Sequence, residues 1–256
     1  MSRLTAALTQ AGAAHRPALV AYLCAGDPHP DTTPDAIVAL ADAGADVIEL
    51  GVPFSDPSAD GPVLQRASER ALARGTTLRR ALDMVQAART RTAVPIVLFG
   101  YYNPLHARGA ARVAAEAREA GVDGLLTVDL PPEESATLRD PVVAAGLDWV
   151  PLVAPTSTGA RIARAAEVAT SFVYCISVAG VTGAGGADLA RAAVRAQAVR
   201  ERTGRPVALG FGIKTRDDVA RVAPFVDAVV VGSAIVQAMH EGGIAAGAAL
   251  VRSLRG

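Results

Sequence analysis

Two acidic residues stand in a setting where packing alone would not call for them. Glu49 interrupts the hydrophobic run ADVIELGVP, and Asp60 follows in the acidic, Pro- and Gly-rich stretch SDPSADGP. If ADVIELGVP is a strand, residues 49, 51 and 53 share one face and Ile48, Leu50 and Val52 the other. Burial of the carboxyl would raise its pKa and bring it into the range of general acid–base work. Two readings of Glu49 are open: a proton-transfer group, or a buried glutamate paired with an arginine. Asp56 and Asp60 likewise fit either turn chemistry or a second carboxylate carried by a loop that closes on a substrate.

Glycine-rich turns form a second group. GFGI (210–213) and VGSAIV (231–236) close the seventh and eighth apolar runs. Backbone N–H groups and a helix N-terminus at such places can hold a phosphate, and Ser233 can add a hydroxyl. The alternative is a pair of tight strand–helix turns. GVTGAGG (180–186) suits a lid or a plain surface loop. Phe211 fits an apolar pocket wall or ordinary core packing. Lys214 is the only lysine and follows the GFGI turn. This argues against imine chemistry and lysine-bound pyridoxal phosphate in this chain, because both need a desolvated lysine. Carbon–carbon cleavage would then run by acid–base catalysis.

The elements that must position these groups are legible as eight apolar runs: 17–26, 45–53, 95–103, 124–130, 148–155, 172–180, 206–213 and 228–236. Segments such as PDAIVALADAG and AARVAAEAREAG, with apolar residues at helical spacing, separate them. Near-continuous apolar strands alternating with helices predict a parallel sheet covered by helices. Eight such units in 256 residues predict a single-domain (β/α)8 TIM barrel over 1–256, with a doubly wound open sheet as the alternative. In a barrel the site lies where the strands end, which is where Glu49 and the glycine turns fall.

The rest of the composition narrows the function. Basic and acidic residues balance at 25 each, which leaves no electrostatic footprint for nucleic acid or an anionic membrane. The longest apolar runs are shorter than a membrane span, and the N-terminus lacks a signal-peptide core. Four scattered histidines and two isolated cysteines show no ligand spacing, so no bound metal is expected. Two cysteines in apolar runs fit a reducing, cytoplasmic setting.

These features together resemble the tryptophan synthase alpha chain family. The resemblance runs from YLCAGDP (22–28) to GSAIV (232–236), and IELGVPFSDPSADGPVLQ (48–65) is its most specific motif. YYNP (101–104), VDLPPEES (128–135), APTST (154–158), GVTGA (180–184) and GFGI support it. It implies a (β/α)8 barrel that cleaves indole-3-glycerol phosphate to indole and glyceraldehyde 3-phosphate. It implies no cofactor in this chain; pyridoxal phosphate belongs to a partner beta chain in an alpha2-beta2 tetramer. By the same resemblance, Glu49 is the acid–base group and Asp60 meets the indole N–H. Tyr174 lies near the substrate, and Thr182 is a lid residue that meets Asp60. Gly183, Gly212, Gly232 and Ser233 cradle the phosphate, and Phe211, Tyr22 and Leu126 line the indole pocket. Pro53, Asp56, Asn103 and Pro131 fall in the family's interface region. Tyr22 stands where the family has Phe, and Ser58 where it has a larger apolar residue. GAGGADL is less polar than the family's segment after GVTGA. The last two differences bear on loop closure and its coupling to a partner.

Overall fold

A computed structural model describes residues 1–176, 186–210 and 212–255. Nine parallel strands appear among them: β1 Ala18–Cys24, β2 Val47–Gly51, β3 Ile96–Gly100, β4 Gly124–Thr127, β5 Asp148–Trp149, β6 Leu152–Val153, β7 Val173–Ile176, β8 Val207–Gly210 and β9 Ala228–Val231. Their order in the sheet is β5-β4-β3-β2-β1-β9-β8-β7-β6. Each strand except β5 neighbours its successor in sequence, and β9 returns to β1. A doubly wound sheet would reverse its order at a switch point, and this one does not. Helices fill the connections, which makes a (β/α)8 barrel.

The eight apolar runs each hold strand, but the fifth is broken in two. β5 pairs with β4 and β6 pairs with β7. Pro151 lies between them and has no N–H to donate. Val150 N–H still bonds to Leu125 O at 2.9 Å, and Pro151 O accepts from Tyr174 N–H at 2.9 Å. The two short segments thus face opposite neighbours, and the covalent chain through Val150 and Pro151 joins the two ends of the sheet.

Alternation along each strand separates two cores. Ile48, Leu50 and Val52 pack outward with helix residues such as Ile37, Leu82 and Val85. Val20, Tyr22, Val47, Val97, Phe99, Leu126, Val150 and Tyr174 form the barrel interior. The helix Arg3–Ala13 contributes Leu4, Leu8 and Ala11 to that interior. A Cβ on Gly124 would lie 2.9 Å from Leu4 Cδ1, so this helix seats tightly on the start of β4.

The helix Ser233–Arg255 is long and apolar enough to cross a membrane by length and composition, which the shorter uninterrupted runs in the sequence do not convey. Ile235, Val236, Met239, Val251 and Leu254 are buried along it, and its backbone departs from helical geometry at Gly243. Its apolar face is used against the barrel.

Candidate active site

Glu49 is third of five residues in β2, in register with Tyr22 of β1 and Val97 of β3. Its side chain points inward and the residue is 2 % exposed. No arginine or lysine pairs with it among the described residues. Its one hydrogen bond among the described residues is long: Tyr174 Oη donates to Glu49 Oε2 at 3.5 Å. Burial pushes the Glu49 carboxyl up to about 8; the Tyr174 hydroxyl opposes this and the charge of Asp60 adds to it. A glutamic acid in this position holds its proton at neutral pH.

Asp60 reaches the same cavity from the loop after β2. The loop is held by Tyr101, just beyond the end of β3. The Tyr101 hydroxyl donates to Asp60 Oδ2 at 3.2 Å and accepts from Ala59 N–H at 3.0 Å. The Tyr101 ring stacks on Phe54 with centroids 4.8 Å apart. Gln65, in the first turn of the helix Pro62–Ala73, donates to Asp60 O at 2.9 Å. Partial burial raises Asp60 to about 6, against the lowering effect of Tyr101. Near neutral pH the pair therefore rests as one protonated and one ionised carboxyl, a division of roles set by environment. Asp56 is exposed and accepts from the Ser55 hydroxyl next to it, which is turn chemistry.

The two carboxyls line a cavity of about 450 Å³ at the C-terminal ends of the strands. Two tyrosines form part of its wall, and each depends on a glycine of the neighbouring strand. A Cβ on Gly51 would lie 2.2 Å from Tyr22 Oη, and one on Gly210 would lie 2.6 Å from Tyr174 Oη. Tyr22 also meets Phe99 edge to face, with centroids 5.5 Å apart. The far wall is made by Gly212, Lys214, Gly232, Ser233 and Ala234. The helix Ser233–Arg255 begins there, with the Val236 N–H taken by Gly232 O at 3.0 Å; the N–H groups before it are those that a helix start leaves without intrahelical partners. That is the chemistry of an anion cradle. Two more open depressions of about 410 and 400 Å³ are lined by Arg195 and Arg202 and by Arg3 and Asp46. Neither contains a carboxyl with a raised pKa beside an apolar wall, so the cavity at the strand ends is the candidate site.

The structure thus brings together Tyr22, Glu49, Asp60, Tyr174, Gly212, Gly232 and Ser233. Leu126 is fully buried in the barrel interior beside Phe99 and is not among the residues at the cavity wall. Side chains on one strand face advance two residues per layer, so Val128 reaches the wall and Leu126 lies a layer below. Thr182, Gly183 and Phe211 lie outside the described residues. Sequence reasoning missed Leu64, Phe99, Tyr101 and Val128. Parity with Glu49 across the register could have found Phe99; nothing local marks Tyr101 as the partner of Asp60. No group of three His, Cys, Asp or Glu among the described residues is arranged to hold a metal ion.

Comparison with known proteins agrees with this geometry. The sequence profile of the family described as Tryptophan synthase alpha chain matches residues 8–253. The tryptophan synthase alpha chain of Dechloromonas aromatica is 48% identical over 99% of this chain and 95% of its own length. That of Geobacter sulfurreducens is 52% identical over 93% and 90%. Tryptophan synthase subunit alpha from Legionella pneumophila superposes with a TM-score of 0.92 at 36% identity, covering 100% of this chain and 97% of its own. A chain of aminoacrylate-bound tryptophan synthase from M. tuberculosis gives 0.88 at 35% identity, covering 99% and 98%. A match over nearly the whole length has one meaning: this chain belongs to the tryptophan synthase alpha chain family.

Proposed function

We propose that Glu49 and Asp60 carry out in this chain the reaction of its family, the cleavage of indole-3-glycerol phosphate to indole and glyceraldehyde 3-phosphate. The observation that supports this most directly is the unpaired, dry Glu49, raised to about 8, facing an Asp60 that stays ionised to about 6.

The bond to be broken joins C3 of the indole to C3′ of the glycerol chain. Protonated Glu49 gives its proton to C3, which forms a C–H bond and leaves the ring cationic at nitrogen. The Asp60 carboxylate stabilises that charge through the ring N–H. Glu49, now ionised, takes the proton of the C3′ hydroxyl. The C3–C3′ bond breaks, its electron pair restores the aromatic ring, and C3′ becomes the aldehyde carbon. One proton is given and one is returned, so the enzyme ends as it began and no cofactor is consumed. Tyr174 steadies Glu49 in its ionised state. Gly212, Gly232 and Ser233 hold the phosphate, while Tyr22, Phe99 and Val128 pack against the ring.

The whole chain serves as one barrel domain in this reading. It is a cytoplasmic subunit without its own cofactor, working with a tryptophan synthase beta chain in an alpha2-beta2 assembly. Pyridoxal phosphate would belong to that partner. Asp56 and Asn103 are exposed and Pro131 half-buried at the face the partner would cover, whereas Pro53 is buried. The test is indole release from indole-3-glycerol phosphate by wild type and Glu49→Gln, each with and without a beta chain. Wild type releases indole and does so faster with the partner; Glu49→Gln retains its near-UV circular dichroism and releases none. Turnover in Glu49→Gln would end the assignment.

A further inference from the structure

The cavity has an electrostatic problem that its known parts leave open. Its charged lining residues, among those described, are Glu49, Asp60 and Lys214. Two are acids, and the ligand of the proposed function brings a phosphate dianion. The glycine turns and the helix at Ser233 offer only partial charges from N–H groups. Lys214 is the one full positive charge on this wall, and the only lysine of the chain.

Its surroundings hold the backbone and release the side chain. Of the two acids that follow Lys214 within four residues, Asp217 and Asp218, the second is engaged by the backbone. Its Oδ2 accepts from Lys214 N–H at 3.1 Å and from Thr215 N–H at 3.0 Å, while Thr215 Oγ1 accepts from Asp218 N–H at 3.2 Å. This reciprocal cap starts the helix Arg216–Val222 and fixes the turn that carries Lys214. The Lys214 residue is exposed, and its ammonium makes no ion pair or hydrogen bond among the described residues. Lys214 thus lines the same wall as Gly212, Gly232 and Ser233, with no partner for its ammonium among the described residues.

We infer that Lys214 is a further substrate-binding residue of this site, whose ammonium pairs with the phosphate monoester held by the neighbouring backbone N–H groups. This rests on the phosphate reading of the Gly212, Gly232 and Ser233 wall. It assigns to Lys214 the recognition of a charge remote from the bond that breaks. Its contribution therefore appears mainly in substrate affinity and its salt dependence, and less in the chemical step.

Having one lysine makes the test direct. Reductive methylation with ¹³C-formaldehyde places one lysine resonance in the spectrum besides that of the N-terminal amine. Titration with inorganic phosphate should move the Lys214 resonance in a saturable way. Calorimetry with the same probe should show binding weakened about threefold to tenfold in Lys214→Met and restored in Lys214→Arg. With indole-3-glycerol phosphate, KM in Lys214→Met should rise by a similar factor, more than kcat falls, and should depend less on salt. If wild type binds phosphate while the resonance stays still and Lys214→Met binds equally well, the lysine inference is overturned and the backbone cradle stands. If wild type binds no phosphate, both fall together.

Discussion

Strand β2 has one acid just before its start and one at its middle, and the two have opposite fates. Asp46, just before Val47 at the N-terminal face, accepts from Arg16 at 2.6 and 2.9 Å, from Arg255 at 2.6 Å and from Leu19 N–H at 2.8 Å. Burial pushes its pKa up, but these partners outweigh burial and hold it below the usual carboxylate range. Glu49, a few residues along the chain, has no cation and one long hydrogen bond among the described residues, and burial dominates. The bonding of Asp46, though not its lowered pKa, recurs on the N-terminal face, where burial wins at Asp123 and raises it. Asp123 accepts from Ile96 N–H and from Arg89, and Asp227 accepts from Val207 N–H beside Arg200. There an aspartate ties the start of one strand to its neighbour. At the chemistry end Asp27 is clamped by Arg70 at 2.7 and 2.9 Å, but Glu49 and Asp60 have no such partner among the described residues, so these two stay available for proton transfer. One end of the barrel is built for holding and the other for reacting.

The largest effect should come from exchanging the two acids' roles by mutation. Glu49→Gln should lower indole release by about a hundredfold to ten-thousandfold or more while the fold survives, measured by steady-state assay and circular dichroism. Asp46→Asn should do the reverse. It should destabilise the chain by about 2–3 kcal/mol in urea titration, because it leaves Arg16 and Arg255 without their acceptor, and leave turnover per folded molecule close to wild type. A loss of turnover in that variant with no loss of stability would break the contrast between the ends.

Stability against pH should sharpen it further. Asp46 has a depressed pKa in the folded chain, so its contribution is present above the unfolded carboxylate range and fades as acid protonates it. Glu49 runs the other way. The folded chain keeps a proton that the unfolded chain has already lost, so stability declines as pH rises from about 4.5 towards 8. Glu49→Gln removes that decline, and at pH 8 it should be more stable than wild type by roughly 2–4 kcal/mol. Equal stabilities at pH 8 would mean that the carboxyl is solvated.

A smaller effect is expected on the pH–rate profile. For the free enzyme kcat/KM should fall below about 6, as Asp60 gains a proton, and above about 8, as Glu49 loses one. The two limbs belong to a coupled pair. Tyr101→Phe removes the hydroxyl that lowers Asp60, so the acid limb should move to higher pH while the alkaline limb stays. Its rate at pH 7 should fall by about tenfold, since Asp60 and Ala59 lose their tether. An unmoved acid limb would show that Tyr101 does not set the state of Asp60.

Much of this was legible because it follows from period two. The inward turn of Glu49 and the outward turn of Ile48, Leu50 and Val52 come directly from strand alternation. Seven of the eight apolar runs contain one strand each. The fifth run reads as continuous, yet Pro151 divides it, because a run of apolar residues does not say which neighbour each N–H will face. Leu126 has the parity of Val128 but sits a layer deeper; how far a layer sits below the mouth depends on the stagger between strands. The Tyr101–Asp60 bond spans two different loops, and no local pattern encodes such a meeting. Similarly, Tyr22 reads as a ring for a pocket, but its fit against Gly51 emerges only when the two strands lie side by side.

The broken fifth strand has a consequence for how the chain could be rewired. Everywhere else round the ring, neighbouring strands are tied by a hydrogen-bonded ladder, so new chain ends placed in a connecting loop would leave the ring closed. Between β5 and β6 the ring is closed by the peptide bond from Val150 to Pro151 itself. New termini opened at that bond would turn a hoop into a ribbon with two bare edges, which makes it the least permissive site for circular permutation.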